Sequence, residues 1–274
     1  MKKLAILITT ITLLLAVVPG KVPTKANVGV DNESKNTFAL LENAVEVSPG
    51  VFYLGKSMDK GKVVEGYVFV HYAKDSDHSK PVWDDTEDIY KFLLGGIKWF
   101  EPMTYEVNPD GSGLTKRQVL AALSASLDTW DTAIAETPLS FELFDDNLPT
   151  TKGGFNSGDR INRVTWDNLS EIFGANVIAV NYFWFNSTTK EMIESDVRFN
   201  TEFIWSVGEV CSGDWMDLQS IATHEFGHNG LNDLYMSKSL ALTMHGISYG
   251  YCETHKRDLG KGDISGIQAL YGSN

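Results

Sequence analysis

The chain has 274 residues, of which 43% are hydrophobic and 22% charged, and its formal net charge is −13. That length suits one sizeable globular domain or two small ones. The acidic balance argues against nucleic acid or an anionic membrane surface as the main partner, and a solvated acidic surface accounts for it.

The opening segment, MKKLAILITTITLLLAVVPG, places two lysines before an apolar run from Leu4 to Val18. This is the layout of a secretory signal, and the run is shorter than the ~18 residues of a spanning helix. A signal over residues 1–26, cut between Gly20 and Ala26, implies a secreted chain with no stable membrane association. A retained run would instead tether the chain to a membrane. Residues 27–95 read as an N-terminal leader, propeptide-like or accessory segment, polar and weakly patterned up to Ser48. Within it VVEGYVFVHYA (Val63 to Ala73) has the composition of a strand, and an acidic loop carrying His78 follows. His71 and His78 are chemically able to bind metal. Seven apart across a polar loop, they read as strand and surface histidines. The acidic clusters at Asp84, Asp85, Glu87 and Asp88 and at Asp145 and Asp146 are either plain surface or oxygen-ligand sites for structural Ca²⁺.

From Ile97 the signals sharpen. MTYEVNPDG reads as a strand ending in an Asn-Pro-Asp-Gly turn. Thr115 and Gln118 form a capping box, and Val119, Leu123, Leu127, Trp130 and Ile134 recur at steps of three and four. The spacing predicts a half-buried helix of about 20 residues with Trp130 in the core. LSFELFD (Leu139 to Asp145) alternates like a strand, and a glycine-rich loop follows it. Asn176 to Phe185 and Met192 to Asn200 read as strands joined by the hairpin NSTTKE. Strand, helix, strands, helix gives an α/β or α+β domain with one main sheet.

DWMDLQSIATHEFGH (Asp214 to His228) predicts a second helix, capped by Asp214 or Asp217 and buried along Leu218, Ile221, Ala222 and Phe226. On it His224 and His228 stand four apart, about 40° around the axis, so both imidazoles can meet one Zn²⁺. Glu225, beside the first histidine, can take a proton from a water that the metal has acidified. Cys211 and Cys252 are the two cysteines, and in an exported chain they suggest a disulfide, worth roughly 4 kcal/mol on the loop-entropy estimate.

The series IKWFEPMTYEVNPDG, TPLSFELFD, IESDVRFNTEFIWS, HEFGHNGLNDLY, LTMHG and RDLGKGDISGIQALYG resembles, in order, the catalytic domain of the matrixins, a branch of the metzincin zinc metallopeptidases. The resemblance covers about two-thirds of the chain. It implies an α+β, zincin-like domain over residues 96–274. That domain would hold a single twisted, mostly parallel sheet with an edge strand, a backing helix, a zinc-binding active-site helix, a methionine turn at Met244 and a C-terminal helix. It implies a zinc-dependent endopeptidase acting on protein or peptide substrates, as a monomer, with Asn176–Phe185 as the edge strand that pairs with substrate.

The chain departs from the family pattern HExxHxxGxxH/D. Gly230 and Asp233 each come one residue early, so a single deletion at the helix end explains both shifts. Asn229 and Gly230 offer a left-handed exit that would swing Asp233 to the metal as third ligand. His245, His255, Glu253 and Asp258 remain competing candidates, and Tyr249 is a candidate oxyanion donor. No cysteine precedes Cys211, so latency through a propeptide cysteine is unavailable. The displaced ligand also leaves open a catalytically impaired metal- or peptide-binding protein of the same fold.

Overall fold

The structure, a computed structural model, describes residues 44–73, 85–135, 137, 141–145, 147–208, 213–247 and 250–272. The signal segment, His78, Asp84, Asp146, Cys211 and Tyr249 lie outside these, and so does the expected Cys211–Cys252 bridge. Among the described residues no helix is long and apolar enough to cross a membrane.

One seven-stranded sheet carries the molecule. Its strands are β1 (Val45–Ser48), β2 (Val51–Asp59), β3 (Lys62–Tyr72), β4 (Tyr105–Val107), β5 (Asn162–Asp167), β6 (Val177–Asn186) and β7 (Met192–Asn200), in the order β1-β2-β3-β6-β7-β5-β4. A short parallel pair, β8 (Ile204–Ser206) with β9 (Trp215–Asp217), leads into the site helix. The helices longer than one turn are α1 (Lys116–Ala135), α2 (Leu218–Gly227) and α3 (Lys261–Tyr271), and a single turn of helix spans Ser170–Phe173. The α+β class is as expected. Parallel pairing holds for β4, β5 and β7, while β6 and the three N-terminal strands pair antiparallel and make the whole sheet mixed.

Two expectations need correcting. First, β6 is not an edge strand. All ten of its residues are buried, and β3 runs antiparallel along its outer side from Val64↔Asn186 to Tyr72↔Val177. The leader therefore supplies structure to the main sheet. Val64, Val68, Phe69 and Val70 of β3 are at most 4% exposed, and at roughly 1.5–3 kcal/mol per buried apolar side chain they dock the hairpin firmly. Second, LSFELFD contributes only an isolated bridge between Met103 and Phe144 among the described residues. The amides of Leu143 and Phe144 are taken instead by the carboxylate of Asp131 on α1. Amides bound to a side chain cannot extend a ladder.

Helix α1 follows its sequence pattern closely. Thr115 Oγ1 accepts the Gln118 amide and Gln118 Oε1 accepts the Thr115 amide, closing the capping box. Its buried stripe of Val119, Leu123, Leu127, Trp130 and Ile134 backs α2. Trp130 Nε1 donates to the Thr223 carbonyl at 2.8 Å, fixing one helix against the other through a buried polar contact. Trp130→Phe removes that buried contact between the two helices, so unfolding in urea should show a loss of about 1–3 kcal/mol.

Candidate metal centre

Asp217 opens α2 by accepting the Ser220 amide at 2.8 Å, satisfying an otherwise unpaired donor of the first turn. Arg257 clamps the same carboxylate through Nε at 2.9 Å. Asn181 of β6 donates to the Glu225 carbonyl at 3.0 Å, so the strand and the helix are tied beside the site.

The two helix histidines are oriented by their outer nitrogens. His224 Nδ1 lies 2.6 Å from the Thr243 carbonyl, and His228 Nδ1 lies 3.1 Å from the Leu231 carbonyl. A carbonyl can only accept, so each Nδ1 carries the proton and each neutral ring presents a bare Nε2 lone pair. Both lone pairs face Asp233, whose Oδ1 is 3.3 Å from His224 Nε2 and 3.8 Å from His228 Nε2. Asp233 thus joins the histidines, as its shifted spacing required. Tyr235 O–H holds the other oxygen, Oδ2, at 3.0 Å.

The route to Asp233 differs from the expected left-handed exit. Helix α2 ends at Gly227, and His228 keeps right-handed angles (φ −67°, ψ −2°). Neither Asn229 nor Gly230 has positive φ. Instead the amides of His228, Asn229 and Gly230 each bond three residues back, tightening the last turn. Gly230 is needed for closeness: a Cβ there would meet Leu270 Cδ2 at 2.5 Å.

The largest correction concerns His71. The sequence makes it a strand or surface histidine, yet it is buried against the site, with Nε2 3.2 Å from His224 Nε2, 3.4 Å from His228 Nε2 and 3.3 Å from Asp233 Oδ2. Period-two alternation explains the placement, since Tyr67, Phe69 and His71 share the helix-facing side of β3. Phe69 stacks on His228 with ring centroids 4.4 Å apart. The signal lay in VVEGYVFVHYA, whose apolar residues fall on both faces: a strand buried on both sides that nevertheless carries a histidine. His71 Nδ1 lies 2.7 Å from Glu225 Oε1, so the ring spans the space between Glu225 and Asp233.

His71, His224, His228 and Asp233 form a buried group able to hold a metal ion. With Zn–N bonds of 2.0–2.1 Å, a tetrahedral zinc needs donor atoms about 3.3 Å apart. The donor separations bracket that figure, and Asp233 Oδ1 is buried with no hydrogen-bond partner. The residues fit zinc. Burial pushes His228 down to about 4. Burial alone would also lower His71, but Glu225 and Asp233 outweigh it and hold its pKa up at about 10.

The competing ligand candidates are engaged elsewhere. His245 Nδ1 meets Ser239 Oγ at 2.8 Å, His255 Nε2 donates to the Ala241 carbonyl at 2.8 Å, and Glu253 accepts the Lys256 amide. Asp258 is outside the donor group. Of the acidic clusters, Asp88 pairs with Lys261 and Glu87 with Lys238. Met244 is buried, its sulfur so close to α2 that a Cβ on Gly227 would lie 2.2 Å from it. Its turn is pinned by Asp263, which accepts the amides of Thr243 (2.7 Å), Met244 (3.1 Å) and Gly260 (3.0 Å). Burial still raises the Asp263 carboxyl to about 6.

A site helix carrying two histidines and a glutamate, a third donor just past its end, a methionine turn and a closing helix define a metzincin-type domain. The pattern of the matrixin family, peptidase family M10, matches residues 98–272, and the chain belongs to that family. It is 26% identical over 190 residues to the hatching enzyme of Paracentrotus lividus, covering 68% of this chain and 28% of that protein. It is 26% identical to human matrix metalloproteinase-20 over 67% of this chain and 34% of that one. It is also 26% identical to the metalloendoproteinase 1-MMP of Arabidopsis thaliana, over 68% and 47% respectively. The chain thus spans less than half the length of each of these relatives.

Asp263→Ala strips three buried amides of their acceptor and loosens the turn whose carbonyl orients His224. Unfolding measurements should show a loss of about 3 kcal/mol or more, and metal titration an affinity about tenfold weaker or worse.

Proposed function

We propose that the chain is an exported, zinc-dependent endopeptidase, with His224, His228 and Asp233 as metal ligands and Glu225 as general base. The observation that carries this reading is the convergence of two bare imidazole nitrogens and a carboxylate oxygen beside a buried glutamate. Zinc, when bound, supplies Lewis-acid polarisation of the scissile carbonyl and acidifies the attacking water. Glu225 takes the proton from that water and passes it to the leaving amine. The Thr243 and Leu231 carbonyls fix the histidine tautomers, and Met244 supports the floor of the site. The signal-like N-terminus supports export, and in an oxidising compartment a Cys211–Cys252 bridge would tie the segment before α2 to the loop after the methionine turn. We read the substrates as proteins or peptides and the chain as a monomer.

One observation favours a second reading, a domain that holds metal without hydrolysis. His71 fills the position that catalytic zinc sites keep open, and closed four-ligand sites are the structural kind.

Elemental analysis should find one zinc per chain, lost in His224→Ala and His228→Ala. Glu225→Gln should keep the zinc while peptide hydrolysis falls by about 10²–10⁴. Undiminished hydrolysis in Glu225→Gln would overturn the assignment of the base.

A further inference from the structure

We propose that the N-terminal β-hairpin is a built-in inhibitor of the site, with His71 plugging the metal's fourth position and β3 lying where a peptide substrate would pair. The inference rests on the peptidase reading.

Three of the four donors, His224, His228 and Asp233, come from one short stretch inside the family-matched segment of residues 98–272. The fourth, His71, comes from a strand that precedes that segment and more than 150 positions away from His224. Its Nε2 takes the place where water and then the scissile carbonyl must enter. Its Nδ1, 2.7 Å from Glu225 Oε1, occupies the base as well. One ring therefore blocks the electrophile and the base together. Glu225 Oε2 is fully buried with no hydrogen-bond partner, a costly state for a carboxylate whose role in the chain were only structural.

The strand blocks by a second means. An extended peptide is recognised by adding to a sheet edge, and the edge beside this metal group is β6, tied to α2 by Asn181. β3 covers that edge antiparallel through His71↔Ala179 and on to Tyr72↔Val177. Phe69, packed on His228, closes the gap between strand and helix. The hairpin is a pseudo-substrate whose residue at the reaction centre is a ligand and not a cleavable bond.

The test uses the full chain loaded with Co²⁺, whose visible spectrum reports coordination, and acetohydroxamate as a small competing ligand. Wild type should bind acetohydroxamate about 100-fold more weakly than His71→Ala, because the open form is then a minor fraction. His71→Ala should also change the cobalt spectrum before any addition. His71→Ala alone leaves β3 in place, so hydrolysis of a quenched fluorescent peptide should rise chiefly in Val68→Asp/His71→Ala, where a buried charge loosens the hairpin. Equal acetohydroxamate affinity and an unchanged spectrum in wild type and His71→Ala would overturn the plug while leaving the peptidase reading intact. Strong acetohydroxamate binding by wild type would do so on its own, whether or not a variant folds. Peptide hydrolysis as fast in wild type as in the double variant would overturn the strand's part. Failure of wild type to take up cobalt would remove the metal reading and this inference with it.

Discussion

Two hydrogen bonds on the far side of two rings decide what this site can be. The Thr243 and Leu231 carbonyls take the Nδ1 protons of His224 and His228, so the inner nitrogens turn only lone pairs towards Asp233. Lone pairs facing a carboxylate repel unless a cation lies among them. Much of the fold serves to keep that arrangement in place. Trp130 braces α2 from behind, Asp217 caps it, Asp263 pins the turn that carries Thr243, and the tightened helix end brings Leu231 and Asp233 round.

The helix end shows how a shortened motif can keep its geometry. Losing one residue would ordinarily rotate the following chain by about 100°. Here three successive amides bond to carbonyls three residues back, which tightens the turn before Asp233. The cost appears elsewhere as a demand for a bare backbone at Gly230, against which Leu270 and Tyr271 of α3 pack. The helix that carries His224 and His228 and the closing helix are therefore coupled through a position with no side chain.

What the sequence made legible were features with a local physical code. The capping box and apolar stripe of α1, the Asn186–Glu191 hairpin, the Asp217 cap and the His224/Glu225/His228 spacing all express short-range periodicity, and all stand in the structure. Asp233 was legible because ligand chemistry limits the choice. His71 was not, because its role depends on which strand lies beside β6, a pairing across more than 100 residues that no local pattern encodes. The same nonlocality hid β2 and β5, and misplaced the edge of the sheet. LSFELFD failed for another reason: its alternation is genuine, but Asp131 on the helix just before it claims the amides that would have made the ladder.

The cover that β3 lays over β6 also decides which strands the sheet offers to other molecules. With the hairpin in place, the outermost strands of the sheet are β1, four residues long, and β4, three residues long. Short strands make poor templates for a second molecule. Stripped of β3, the sheet would present β6 instead, ten residues rich in valine and aromatic side chains and without a single charge. Such a border invites edge-to-edge association. Covered along its length by β3, that border is closed to a second strand, and the hairpin leaves only the two short strands facing outward.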